Sequence, residues 1–227
     1  MRRELGPGYE LFIVALSILS LANVVILVGP FQEDTKTVVA IVDLVLSLIF
    51  LADFTGRLYL SDPRSDYLIR KQGYLDFLGS LPFPLLRLFR IVRVYRAVRR
   101  VRAMGGRRVV RRIVRERAQT ALLFATFLVL LVIELGSIFV VIAERGAPNA
   151  NIKTGGDALW WSIVSVTTVG YGDKYPVTPA GRVIGAVILI LGVGLFGVFT
   201  GYVARIFLTP RQEDTETDED LPGPTDI

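Results

Sequence analysis

Apolar residues fall into long blocks separated by short polar breaks. Residues 9–29, 37–59, 119–143 and 179–208 each supply about the 20 mostly apolar residues that a helix needs to cross a bilayer core of roughly 30 Å. The second block carries Asp43 and Asp53, the third carries Glu134, and the last is rich in glycine. Two weaker segments lie between them. Residues 67–81 are short and stop at Pro82 and Pro84, which cannot continue a helix. Residues 85–104 are long enough but loaded with arginine. Residues 158–167 make about half a span. The pattern predicts an all-α membrane protein with six spans and one re-entrant half-helix.

Charge orients the spans. Arg2 and Arg3 put the N-terminus in the cytoplasm, and six crossings return the C-terminus there. The inner loops then carry Arg64, Arg70, Lys71 and the basic cluster of 107–117, whereas the outer loop 30–36 is nearly neutral. The expectation is a multi-pass protein of the cell membrane, with lipids as partners and no nucleic acid. Gly105 and Gly106 mark a break. After them, Val109, Val110, Ile113 and Val114 share one helical face and arginines the other, as in a helix lying in the membrane interface. The chain divides into a four-span part (1–106), this linker (107–118), a two-span part (119–208) and an acidic, disordered tail (209–227).

Composition narrows the chemistry. Hydrophobic residues make up 52% of the 227 residues, and there is no His or Cys. That removes thiol nucleophiles, His-based triads and Cys/His zinc sites. No enzyme activity, cofactor or small-molecule substrate is expected.

The most informative stretch is TTVGYGDKYP, residues 167–176, between the half-helix and the last span. Non-helical backbone at membrane depth persists only inside protein or lining water. Gly170 and Gly172 can adopt φ > 0. Alternated with Val169 and Tyr171, they let successive carbonyls face one way, and the Thr168 hydroxyl extends the row. Aligned carbonyls can replace the water shell of a cation, and the half-helix aims the negative end of its dipole at the same place. One chain supplies one strand and contains no second copy, so a ring requires several identical chains.

At these residues the sequence resembles the potassium-channel family. ALWWSIVSVTTVGYGDKYPVTPAGRVIG is similar, without a gap, to that family's pore helix, filter, outer mouth and inner-helix start. The resemblance implies a homotetramer and potassium as the permeant ion. It implies a filter of Thr168, Val169, Gly170, Tyr171 and Gly172, with Asp173 at the outer mouth. Trp160 and Trp161 would form a cuff holding Tyr171, although interfacial anchoring explains two tryptophans equally well. Some bacterial members carry a glutamate behind the filter that pairs with the outer-mouth acid; Val164 stands at that position here. Gly192 is implied as a gating hinge, with close helix packing as the competing reading. Glu134 is placed near the outer pore domain with no role assigned.

Residues 85–104 read LLRLFRIVRVYRAVRRVRAM, with Arg87, Arg90, Arg93, Arg96, Arg99 and Arg102 at every third position. This period drifts around an α-helix as a spiral and straightens where the helix is 3₁₀. An arginine at mid-membrane costs about 2.5–3.5 kcal/mol, so the ladder needs acidic partners. Asp43 and Asp53, about 15 Å apart along one helix, and Asp76 can serve. The constellation is similar to the voltage-sensor domain of six-span channels, with Phe50, Asp53 and Asp76 matching its charge-transfer site. The implied architecture is a four-helix voltage-sensor-like domain followed by a two-helix pore domain with a re-entrant pore helix and filter. DFLGSLPFP looks closer to the cyclic-nucleotide-gated and ether-a-go-go branch, yet no cyclic-nucleotide domain is expected, and the pattern as a whole is prokaryotic-like. The leading expectation is a voltage-dependent potassium channel. The alternatives are a constitutive or ligand-gated potassium pore with a non-functional sensor, and a potassium transporter subunit.

Overall fold

The computed structural model describes residues 6–60, 73–81, 83, 86–104, 111 and 117–208. The linker expected over 107–118 falls almost wholly outside the described residues, as do the acidic tail, Arg64, Arg70 and Lys71.

Helices form where the apolar blocks predict them. They are α1 (Pro7–Val28), α2 (Glu33–Leu60), α3 (Gly73–Ser80), a 3₁₀ turn (Leu86–Phe89), α4 (Arg90–Met104), α5 (Arg117–Glu144), α6 (Gly155–Val166) and α7 (Pro179–Leu208). Local chemistry sets their ends. Pro7 opens α1, where its missing N–H costs nothing. Glu33 and Asp34 face the positive end of the α2 dipole and Arg57 its negative end. A capping box starts α6: Asp157 N–H donates to Thr154 Oγ1 (3.1 Å), and Thr154 N–H donates to Asp157 Oδ2 (3.2 Å).

Helices α1, α2, α5 and α7 are long and apolar enough to cross a membrane, by length and composition. The other two predicted spans differ. The described part of the third is the eight residues of α3. The fourth is the 3₁₀ turn of four residues running into the 15 residues of α4, and its arginines keep it from reading as apolar. The 3₁₀ turn takes in Arg87 only; from Arg90 onward the period-three stripe spirals round an α-helix.

The packing has two centres. Ile13, Leu16, Val38, Val39, Val42, Leu46 and Phe50 of α1 and α2 share a core with Ile138 of α5 and Leu159 of α6. Val140, Val141, Ile152, Ala158, Trp161, Val166 and Ile188 form a second core among α5, α6 and α7. The first core crosses the proposed boundary between front and back parts. Within one chain, α1 and α2 both rest on α5, and α2 also touches α6.

That last contact is close. Gly155 N–H donates to Asp34 Oδ1 (3.3 Å), and Arg145 lies 3.9 Å from the same carboxylate. A Cβ on Gly155 would stand 2.3 Å from the Asp34 carbonyl oxygen, a backbone atom that cannot swing aside. Gly155→Ala is expected to destabilise the protein by about 1–3 kcal/mol through overpacking. At Gly156 the nearest atom to a new Cβ is 3.7 Å away, so Gly156→Ala is expected to be nearly neutral. Thermal unfolding of the two variants checks this pair; equal melting temperatures would contradict the packing.

Candidate functional site

The strand 168–172 leaves α6 with an unusual backbone. Thr168, Gly170 and Gly172 have φ of 60°, 59° and 76°, so left-handed residues alternate with Val169 and Tyr171. Glycine tolerates this freely, but a threonine there costs about 1–3 kcal/mol. The expectation of left-handed conformations at the two glycines holds; Thr168 is an addition that composition did not reveal. Val169 N–H and Gly170 N–H both donate to the Val164 carbonyl (3.0 and 3.2 Å). In a trans peptide the C=O is antiparallel to the N–H. The carbonyls of Thr168 and Val169 therefore point away from α6. Val164 is buried, as an apolar side chain should be, and its backbone oxygen is what serves the strand.

The outer end is held by side chains. Trp160 stacks on Tyr171 with ring centroids 5.8 Å apart and 5° between planes, and its Nε1 donates to Asp173 Oδ2 (2.8 Å). Trp161 goes elsewhere: it is buried in the second core, 3.5 Å from where a Gly185 Cβ would stand. Within one chain only Trp160 meets the cuff expectation. Sequence reading missed Glu144, Thr178, Lys174, Asp157 and Asn151 here. Glu144 accepts from Val177 N–H, Thr178 N–H and Thr178 Oγ1 at 2.9, 2.9 and 2.8 Å. Lys174 pairs with Asp157 at 2.9 Å and donates to the Asn151 carbonyl at 2.7 Å. Burial opposes ionisation of Asp157, but hydrogen bonds from Lys174 and from the Lys153 and Thr154 N–H groups outweigh it and hold its pKa below the ordinary value. The signals were present: Thr154 and Asp157 have capping-box spacing, and Glu144 ends an apolar block.

Gly192 sits against the end of α6. A Cβ there would stand 2.9 Å from Val166 Cα, and α7 runs unbroken through the position. Of the two readings left open, this geometry carries close packing rather than a bend.

Among the described residues, the arginine ladder meets its acids at Arg90. Arg90 is fully buried. Its Nη1 donates to Asp43 Oδ1 (2.8 Å), its Nη2 to Ser47 Oγ (2.8 Å) and its Nε to the Gly79 carbonyl (2.6 Å). Its guanidinium lies 5.0 Å from the Phe50 ring centroid, and Ser20 also donates to Asp43. One turn beyond Phe50, Asp53 accepts from Arg57 Nε (2.8 Å) and Tyr9 Oη (2.9 Å), while Arg57 Nη1 donates to Glu10 (2.9 Å). Asp43, Phe50, Asp53 and Asp76 are all buried, so the structure brings the predicted acids and ring into the interior. Arg99 and Arg102 are exposed. Arg87, Arg93 and Arg96 lie on the helical backbone, but their side chains fall outside the described residues. Arg57, Tyr9, Glu10, Ser20, Ser47 and the Gly79 carbonyl were missed; Arg57 was visible as a cation four residues after Asp53.

Glu134 acquires neighbours. It is buried beside Asn23 of α1 and within electrostatic reach of Asp43, at the join between α1 and α5.

The ion transport protein family matches residues 7–214. A voltage-gated potassium channel of Aeropyrum pernix is 35% identical over 178 residues, covering 74% of this chain and 60% of that protein. The human potassium voltage-gated channel subfamily KQT member 4 is 37% identical over 92 residues, 40% of this chain and 13% of that protein. The calcium-gated potassium channel TvoK of Thermoplasma volcanium is 34% identical over 84 residues, 37% of this chain and 24% of that protein. The chain thus spans less than two thirds of the length of each of these relatives.

The packing at Gly192 yields a paired test. Gly192→Ala forces a shift against backbone and is expected to cost about 1–3 kcal/mol. A Cβ on Gly194 meets nothing, and Gly194→Ala is expected to gain up to about 1 kcal/mol in helix propensity. Thermal unfolding of both variants separates packing from a hinge, since a hinge alone predicts stabilisation by either alanine.

Proposed function

The chain belongs to the ion transport protein family, and on that premise we propose that it is a potassium-selective, voltage-dependent channel conducting at the axis of a homotetramer. One observation carries the reading. The strand 168–172 alternates left-handed residues, and its Val169 and Gly170 N–H groups bond to Val164, which turns the Thr168 and Val169 carbonyls to the opposite side. Continued through Gly170 and Tyr171, this makes a row of oxygens able to replace the water around a dehydrated cation. In a single chain Val169 and Tyr171 remain exposed, as do Val183, Val187, Ile190 and Val193 on α7. Copies of the same chain around an axis would close the oxygen row into rings and cover that apolar face. The potassium channels among its relatives support the choice of ion.

In this reading Thr168, Val169, Gly170, Tyr171 and Gly172 bind the ion, and Trp160 and Asp173 hold the outer end. Arg87, Arg90, Arg93, Arg96, Arg99 and Arg102 carry gating charge past Asp43, Phe50, Asp53 and Asp76. Moving one charge through the field is worth about 2.3 kcal/mol per 100 mV, so a few arginines suffice to bias the pore. The protein spans the membrane several times; we place it in the cell membrane with both termini inside, acting without a cofactor and not as an enzyme. A second reading, a pore with a fixed sensor-like scaffold, is favoured by Arg57, which engages Asp53 from within the same helix.

Two measurements test the proposal. In liposomes the purified protein is expected to carry potassium in large excess over sodium; equal fluxes would refute the filter assignment. Under voltage steps, Arg93→Gln and Arg96→Gln are expected to shift and flatten the opening curve. A voltage-independent wild-type current would leave the pore and favour the fixed scaffold.

A further inference from the structure

The strand 168–172 holds a strained backbone whose inner end is pinned by the two bonds to Val164. Its outer end has the Trp160 contacts, in which both Trp160 and Tyr171 are exposed. The three residues that follow are tied down more heavily. Asn151 Nδ2 donates to the Asp173 carbonyl (3.3 Å), Lys174 Nζ to the Asn151 carbonyl (2.7 Å), and Tyr175 N–H to Asn151 Oδ1 (3.1 Å). Lys174 Nζ also meets Asp157 Oδ1 at 2.9 Å. Asp157, in the first turn of α6, is itself fixed, because its other oxygen accepts the N–H groups of Lys153 (3.0 Å) and Thr154 (3.2 Å) just before that turn.

We propose that Asp157, Lys174 and Asn151 form a clasp that positions the outer end of the carbonyl strand, making α6 a splint fastened at both ends. The inner end of the strand is tied to the last turn of α6 through Val164, and its outer end to the first turn through Asp157. The clasp rests on the potassium-filter reading above. It has a second consequence. A lysine next to the outer mouth would repel entering cations, and pairing with Asp157 neutralises it where it stands. The side chains of Lys174 and Asp157 are 28% and 23% exposed, so the pair is shielded enough from water to hold, yet reachable from the mouth. These are positioning residues, since none of their side chains joins the carbonyl row.

The variants separate the two consequences. Lys174→Met removes the clasp and the positive charge while leaving the Thr154–Asp157 capping box intact, so loss of folding is not its expected effect. Asp157→Asn removes the clasp and leaves Lys174 unneutralised. As a control, Lys174→Arg keeps the charge and a donor for both Asp157 and the Asn151 carbonyl. The measurement is thermal protection of the purified full chain as potassium chloride is titrated in place of sodium chloride. Potassium current through the same proteins at low external potassium accompanies it. Each single variant is expected to need roughly tenfold more potassium for the same protection, in line with loss of an ion pair and a hydrogen bond. Its current is expected to decay faster, and the Lys174→Arg control to stay near wild type. Asp157→Asn is further expected to pass less current at first opening than Lys174→Met. Wild-type potassium dependence and decay in both single variants would overturn the clasp alone. Equal protection of the wild type by sodium and potassium would overturn the filter reading and the clasp with it.

Discussion

The facing of the strand 168–172 follows from one acceptor, the Val164 carbonyl at the end of α6. It takes two successive N–H groups, from Val169 and Gly170, and so decides which way the following strand faces. Backbone groups inside a bilayer must be bonded or face water. Once the N–H groups are spent on α6, the carbonyls have only the open side left. Thr168, Gly170 and Gly172 absorb the geometric cost as left-handed residues. The remaining elements hold that strand in register. The capping box fixes the start of α6, Glu144 fixes the turn into α7, and Gly192 lets α7 close on Val166.

The front half obeys the same constraint applied to charge. A guanidinium cannot sit in apolar surroundings without acceptors. Arg90 finds three in Asp43, Ser47 and the Gly79 carbonyl, with the Phe50 ring against it. A second layer of charge, Arg57 with Asp53 and Glu10, lies beyond Phe50. The Phe50 ring thus lies between two charged layers. The shared core from α1 and α2 to Ile138 and Leu159, and the contact of Asp34 with Gly155, seat this half on its own chain's α5 and α6.

The sequence made the helices and the left-handed strand legible because both depend on local pattern. Apolar blocks give helix positions to within a few residues, and a glycine alternation announces its own dihedral angles. The acids facing the ladder were legible because few polar residues interrupt those blocks. What escaped depends on tertiary placement. The turn that lets Glu144 reach Thr178 separates them by over thirty positions, and Lys174 reads as an ordinary loop lysine until α6 brings Asp157 under it. The partner of Glu134 escaped because a single helix does not reveal which of its faces meets α1. Trp161 carried the same ambiguity: two adjacent tryptophans on a helix point in different directions, and only one can stack on Tyr171.

The central claim is that the carbonyls of residues 168–171 hold a file of dehydrated cations on the axis of a tetramer. The most direct measurement is anomalous diffraction from crystals grown with rubidium or thallium in place of potassium. The account predicts a line of anomalous peaks on a four-fold axis, each ringed by these carbonyl oxygens from four copies of the chain. Crystals of the folded protein with no such peaks beside the strand, or with the strand turned away from any symmetry axis, would contradict it.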